Sequence, residues 1–520
     1  MSRSDRLAHV SSVLGRVFLS EAAYSVGIRR ERSGDDFVDH ERQRALMVRH
    51  ALEQLGPFYI KVGQMLSTRP DLVSDSMIKE FEKLHDHVSV AKFELFEPVL
   101  EAELGRNWRR YFKSIDYHVL GAASLAQVYH VTLATGEPAV VKVQRPGIVP
   151  VMLDDMSLTR RAAKLVAKRA PDFNDVMDVE AILELIFDAM RAELDFRVEA
   201  ENMDDARNAV RDFEKLAVPE VVFATEKVLV QTMAPGTTIR AVNRDEFKRK
   251  EREEIGRELL TFMYEGYFTE RVFHADPHPG NIFVEPGGKA YIIDWGMVGR
   301  LDRPTSMAVA MVILHLAEND GAGLAKAWIE LGRATSWANI PGFVNDMCGF
   351  VPTVANASLE KFNFGATINR VLRYASRRGI QTTPMIGLLG KSFANIEGSV
   401  RYLAPEISIT EVFEDAFRDI LFDLGQETLS EQQAARVVLE GLMAVNALPE
   451  QTRTVARDLA NRELTVQFNE VQSRSSRRES RADARARAMR RTIAGVALAA
   501  LWLDRRRRTD GMSGAPPFGR

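Results

Sequence analysis

Phe273-His274-Ala275-Asp276-Pro277-His278-Pro279-Gly280-Asn281-Ile282-Phe283-Val284, with Tyr291-Ile292-Ile293-Asp294-Trp295-Gly296 just beyond it, is the stretch on which the reading of this chain turns. Each is a polar elbow flanked by apolar, strand-like residues, so two carboxylates and one amide can meet at the end of a small sheet. Asn281 follows Asp276 by five positions and Asp294 follows it by eighteen. That order and spacing match the parts of a phosphoryl-transfer site: a catalytic-loop Asp, a metal-binding Asn and the Asp of a D-F-G-type turn. Mg²⁺ takes hard oxygen ligands and keeps several waters, so Asn281, Asp294 and the nucleotide's own phosphates would suffice to hold it. Singly, each piece is ordinary turn chemistry.

Upstream, Ala139-Val140-Val141-Lys142-Val143 reads as a buried strand with one lysine in its middle. A charged lysine there is costly unless it has an anionic partner or points to an edge. It lies twenty-one positions after Gly121, in the small-residue loop Gly121-Ala122-Ala123-Ser124, and so suits a lysine reaching phosphates held under that loop. Thr135-Gly136-Glu137 makes the intervening hairpin turn. The loop is not G-x-G-x-x-G and the chain contains no G-x-x-x-x-G-K-[ST], which argues against a dinucleotide-binding enzyme or a P-loop NTPase.

One long helix is expected over residues 179–206, carrying Glu193, Asp195 and Glu199. Glu199 is the expected partner of Lys142, with Glu193 second. A strand over residues 227–233 then ends in Ala234-Pro235-Gly236, the place for a hinge whose backbone bonds adenine. The expected ATP-binding set is Gly121, Ala122, Ala123, Ser124, Val128, Lys142, Thr232 and Ala234. Residues 240–461 read as mostly helical apart from the two acidic turns.

At the other end, residues 1–116 read as helical. Leu52, Leu55, Tyr59 and Val62 recur at helical steps, and Gly56-Pro57 restarts the helix because Pro is tolerated in a first turn. Lys61 and Gln64 share a face, and Gly63 permits close backbone approach.

The 520 residues are enough for a two-lobed core with an appended piece. Apolar content of 46% and charged content of 27% are those of a globular protein. The net charge of −3 is unevenly placed: residues 471–520 hold thirteen Arg, no Lys and four acidic residues, a net of +9 against −12 for the rest. The single cysteine, Cys348, cannot form an intramolecular disulfide, and residues 1–20 are amphipathic with scattered arginines, not a secretory signal. The apolar run 493–503 is eleven residues long, where spanning a bilayer needs roughly 20. Arg474, Arg478, Arg481 and Arg485 form a helical stripe before it and Arg505 to Arg508 follow it, which favours an interfacial helix on an anionic membrane surface over a solvated tail. No aromatic interleaving supports nucleic-acid stacking there.

The set Lys61-Val62-Gly63-Gln64, Gly121-Ala122-Ala123-Ser124, Lys142, Glu193-Leu194-Asp195, the 274–281 loop and Asp294-Trp295-Gly296 resembles the UbiB/ADCK-type atypical kinase family over roughly residues 45–400. The resemblance implies an α+β, bilobal protein kinase-like fold: a helical extension at 1–116, a β-rich lobe at 117–236, a helical lobe at 237–465 and an arginine-rich tail at 466–520. It implies ATP and Mg²⁺ as cofactors, with Asp276, Lys142 and Glu199 catalytic and Asn281 and Asp294 on the metal. It also implies that Lys61 and Gln64 fold over the site to meet Glu193 and Asp195. Family members are tied to isoprenoid quinone biosynthesis and lipid homeostasis, so a lipid or quinone-precursor ligand, a cytoplasmic location and peripheral membrane contact are expected. A nucleotide-gated scaffold with little turnover is the alternative. Trp295 departs from the family's usual Phe, and the paired C-terminal transmembrane helices of many members are not found.

Overall fold

The computed structural model describes residues 34–69, 72–85, 90–169, 179–355 and 363–428, with a scatter of residues between 5 and 16. The arginine stripe and the apolar run 493–503 lie outside the described residues. No helix among the described residues is long and apolar enough to cross a membrane.

Helix α1 (Gly34–Leu55) stops at Gly56, whose φ of 96° lets the chain turn, and Pro57 opens α2 (Pro57–Ser67). A Cβ at Gly63 would fall 2.5 Å from Leu84 Cδ1 and 2.7 Å from Leu52 Cδ1, so glycine lets α2 pack this closely. After α3 (Asp75–Phe81), capped by Ser74, and α4 (Glu97–Leu104) the first sheet begins. It starts at Phe112, earlier than the boundary at 116 read from the sequence. Phe112 pairs with Leu133 and is buried edge-on against Trp108, so it belongs to the sheet core.

Strands β1 (Phe112–Ala122), β2 (Ala126–Leu133) and β3 (Pro138–Gln144) run as hairpins. Two helices follow, α5 (Ile148–Arg169) and α6 (Val179–Glu193), then α7 (Phe196–Ala209), the short β4 (Leu216–Ala217), β5 (Val221–Ala224) and β6 (Val228–Thr232). The five-stranded sheet has the order β1-β2-β3-β6-β5 and is antiparallel throughout. In the central strand, period two sends Ala139, Val141 and Val143 into the core and turns Val140 and Lys142 to the opposite face. Tyr129, Val131, Val228 and Val230 complete that core. A second cluster joins Leu55, Phe58 and Phe81 of the N-terminal helices to Met152, Phe187 and Met190 of α5 and α6.

The single helix expected over 179–206 is two helices. The break falls at Leu194-Asp195, where Asp195 adopts an extended conformation and its side chain accepts from the Arg197 N–H as an N-cap. An Asp inside a helix competes for backbone donors, and here it starts a new helix.

The second lobe is helical but holds short strands beyond the two turns. After β7 (Thr237–Thr238) come α8 (Arg249–Phe268), β8 (Val272–His274), β9 (Ile282–Val284), β10 (Ala290–Ile292) and β11 (Val298–Arg300). Strands β4, β10, β9 and β7 form one small sheet and β8 pairs with β11. The remaining elements are α9 (Arg303–Ala317), α10 (Gly321–Glu330), β12 (Gly332–Ala334), α11 (Ile340–Ala355), α12 (Phe364–Arg377), β13 (Ile380–Thr382) and α13 (Pro384–Leu403). Helices α8 and α13 pack through Tyr267 and Phe393, whose rings lie 4.2 Å apart, with Phe273 edge-on to Tyr267 at 5.2 Å. A last helix, α14 (Ile409–Thr428), ends the described residues; from residue 414 on it belongs to a second unit of the chain, of which only residues 414–428 are described. The architecture is α+β with two lobes, as the sequence implies.

Candidate active site

Lys142 Nζ lies 2.8 Å from both carboxylate oxygens of Glu199 and 3.0 Å from Asp294 Oδ1. Three separate parts of the chain meet there: the middle of β3, the first turn of α7 and the turn after β10. Glu199 is buried, 4% exposed, while the Asp294 side chain is half exposed. Burial alone would lower the Lys142 pKa, but Asp294 and Glu199 together hold the ammonium charged. The ammonium in turn holds Asp294 well below the usual carboxylate range. Asp294 has a φ of 62°, an unusual conformation for a non-glycine residue, as expected where the backbone is bent to aim a functional group.

Trp295 buries its indole where a Phe is more usual. Its ring N–H donates to Ile292 O at 3.1 Å, its carbonyl accepts from Asn202 Nδ2 at 3.0 Å, and its ring stands 4.7 Å from that of His274. The larger ring is therefore packed and satisfied.

The loop between β8 and β9 is tied to the Asp294 turn by backbone bonds: Ala275 N–H to Met297 O at 3.0 Å and Ile293 N–H to Asn281 O at 2.9 Å. His274 is wholly buried, and burial lowers its pKa. Its Nδ1 accepts the Asp276 N–H at 3.0 Å, so the proton sits on Nε2 and is donated to Ile293 O at 3.1 Å. Asn281 Nδ2 donates to Asp276 O at 3.2 Å, bracing the loop across its mouth. His278 Nδ1 accepts from the Gly280 N–H at 3.0 Å and so shapes the loop.

The Asp276 carboxylate is held by residues that no motif in the sequence singles out. Asn395 Nδ2 donates to Oδ1 at 2.7 Å and Lys391 Nζ lies 3.1 Å from Oδ2, both from α13. The only signal in the sequence is a Lys and an Asn four apart on a helix, indistinguishable there from a solvated face.

Of the residues expected around the nucleotide, Gly121 and Ala122 close the β1–β2 hairpin opposite Val128 and Gln127, and Ala123 N–H bonds Ala126 O at 2.9 Å. Ser124 is half-buried in that turn. Val128 stands directly across from Lys142. At the hinge, Thr232 N–H donates to Glu220 O at 2.8 Å and Met233 N–H to Pro138 O at 3.3 Å, while Ala234 is buried.

Lys61 reaches Glu193 at 2.6 Å, both side chains 12% exposed; burial pushes Glu193 up and Lys61 opposes it. The other half of the expected meeting does not form. Gln64 Nε2 is 3.4 Å from Leu84 O, and Asp195 is engaged with Arg197 at 2.6 Å, because capping α7 holds its side chain on that helix. Beside α2 a cleft opens to solvent, with Met65 and Leu66 of α2, Ile186 of α6 and Leu388 of α13 on its apolar walls and Asp276 and Lys391 among its polar groups.

Comparison with known proteins identifies the family and the fold. The family model described as ABC1 atypical kinase-like domain matches residues 83–328, and that of the UbiB helical domain matches residues 349–408. A probable protein kinase UbiB of Cellvibrio japonicus is 33% identical over 70% of this chain and 67% of its own length. An uncharacterized Synechocystis protein is 30% identical over 67% of this chain and 88% of its own. Among solved structures, Rv3197 of Mycobacterium tuberculosis, determined in complex with erythromycin, superposes with a TM-score of 0.50 at 22% identity, covering 74% of this chain and 98% of that one; this likeness is one of fold. The chain belongs to the ABC1/UbiB family of atypical kinase-like proteins.

Proposed function

We propose that the protein binds Mg-ATP between its two lobes and transfers the γ-phosphoryl group to water or to the hydroxyl of a small molecule, in support of isoprenoid quinone or lipid chemistry. The observation that carries this reading is the Lys142 ammonium shared between Glu199 and Asp294 at 2.8 to 3.0 Å. The pairing presents a fixed cation beside a half-exposed carboxylate, the arrangement a polyphosphate and its metal require. Asn281 and Asp294 fit Mg²⁺, since an amide oxygen and a carboxylate are hard ligands and phosphates with water complete the shell. Bound there, the ion would neutralise charge on the phosphate oxygens.

In this reading Gly121 to Ser124 cover the phosphates, Ala234 and Thr232 flank the adenine, and Lys142 orients the α- and β-phosphates. Asp276 accepts the proton of the attacking hydroxyl. Catalysis comes from positioning and charge neutralisation. The apolar walls of the cleft beside Asp276 suit a small acceptor with an apolar body, such as a lipid or quinone precursor. The arginine-rich segment supplies the peripheral membrane contact.

A second reading, a nucleotide-gated scaffold with little turnover, draws on the Lys61–Glu193 pair, which ties α2 to α6 beside the site. One experiment separates them: thermal unfolding with and without Mg-ATP, with phosphate release measured on the same samples. Ligand at 100 times its Kd stabilises by about 2.7 kcal/mol. A metal-dependent shift with phosphate release is expected, a shift without release favours the scaffold, and no shift overturns both.

A further inference from the structure

The catalytic loop carries no lysine or arginine from Asp276 to Asn281. Two lysines nearby are committed elsewhere: Lys142 to Glu199 and Asp294, and Lys61 to Glu193. His278 has its Nδ1 on its own loop. A cation that reaches Asp276, Lys391, comes from α13, more than a hundred residues further on.

That helix devotes one face to the loop. Ser392 Oγ donates to His274 O at 2.7 Å and is braced by Tyr267 OH at 2.8 Å, and Ser399 Oγ donates to Pro277 O at 2.9 Å; both serines are wholly buried. Between them Asn395 Nδ2 meets Asp276 Oδ1 at 2.7 Å, and Lys391 Nζ meets Oδ2 at 3.1 Å. Positions 392, 395 and 399 follow helical steps of three and four, with 391 alongside, so a single helix orientation satisfies all four contacts. Two of these bonds hold the loop backbone and two hold the reacting carboxylate. A purely structural seam has no need of the second pair: a buried serine already anchors the backbone, and a carboxylate 15% exposed could be solvated. Lys391 and Asp276 also face the same cleft, so the ammonium lies on the side from which an acceptor would approach.

We propose that Lys391 and Asn395 are positioning residues for Asp276, with Lys391 supplying from the helical domain the cation of the acceptor side that the catalytic loop lacks. Together the two donors fix the plane of the carboxylate and so aim it at the acceptor O–H. As the acceptor oxygen bonds to the γ-phosphorus, the bond from that phosphorus to the bridging oxygen breaks, its electron pair leaves with ADP, and the acceptor's proton passes to Asp276. Lys391 offsets negative charge at this end throughout, as Lys142 does at the other.

This inference rests on the phosphoryl-transfer reading, and the test keeps the two apart. Full-length wild type, Lys391→Met, Lys391→Arg and Asn395→Ala are compared in steady-state phosphate release from Mg-ATP and in the thermal shift that Mg-ATP induces. Loss of orientation at a reacting group costs on the order of 100-fold. Lys391→Met is expected to lose about that factor in kcat while KM for ATP and the thermal shift stay near wild type, Lys391→Arg to recover most of the loss, and Asn395→Ala to lose about 10-fold. Wild-type turnover in Lys391→Met overturns the proposal, as does a joint loss of kcat and thermal shift that Arg does not rescue, which marks a structural role. A wild type that binds Mg-ATP without releasing phosphate overturns the transfer reading and this proposal with it.

Discussion

The two carboxylates of the candidate site, Asp294 and Asp276, are held in opposite ways. Asp294 is half exposed, sits in a left-handed backbone conformation and shares one ammonium with a buried glutamate. Asp276 is 15% exposed, with both oxygens engaged by donors of one helix. The first is a loosely covered anion beside a cation that phosphates can also attract. The second is a fixed anion in a braced loop. Under the proposed phosphoryl-transfer reading this division suits an exchangeable metal ligand at Asp294 and a directed proton acceptor at Asp276, because a metal ligand changes partners and a base keeps its aim.

Removing the charge at each end tests that contrast. Asp294→Asn is expected to reduce phosphate release by about 1,000-fold and to abolish the metal dependence of the Mg-ATP thermal shift, since it removes charge at the transferring group. Asp276→Asn is expected to reduce release by about 100-fold and leave the shift intact. Equal loss of the shift in both variants would break the comparison.

The helix that holds Asp276 carries a pH-dependent liability. Glu397 on α13 is wholly buried, accepts the Phe364 N–H at 3.0 Å, and is pushed by burial up to about 8. The folded state therefore keeps a proton that the unfolded chain has already lost. Stability contributed by that proton is complete below the unfolded value near 4.5, falls as pH rises, and levels off above about 8. By pH 7 the loss is about 3 kcal/mol. Unfolding midpoints measured from pH 5 to 8 are expected to fall in wild type and to flatten in Glu397→Gln; equal slopes would refute the assignment.

The smallest effect belongs to the Asp294 side. Trp295→Phe removes the bond to Ile292 O and some packing, at about 1 kcal/mol, and turnover is expected to stay within a few fold. A large loss of turnover would mean that the turn is as tightly braced as the Asp276 loop.

Much of the β-rich lobe and of both acidic turns is legible in residue order alone. The β-run around Lys142, the hairpin turn at Gly136, the restart of the helix at Pro57 and the two acidic elbows are local signals. Each depends on neighbours within a few positions. The boundary at Phe112 and the break at Asp195 are not legible in that way. A strand's first residue is set by its partner across the sheet, and an Asp reads alike as a helix-surface residue or as a cap. Lys391 and Asn395 are hidden for the same reason, as polar positions on an amphipathic helix with nothing nearby in sequence to suggest an acidic partner.

What residue order by itself determined is the identity and spacing of the groups at Lys142, Asp276, Asn281 and Asp294, because strand period and turn chemistry act over a handful of residues. Only the tertiary structure decided that Lys142 would meet Asp294 as well as its expected partner Glu199, that Gln64 and Asp195 would stay apart, and that α13 would supply the donors to Asp276. Those pairings join residues tens to hundreds of positions apart, and the packing of helices against sheet and loop sets their distances.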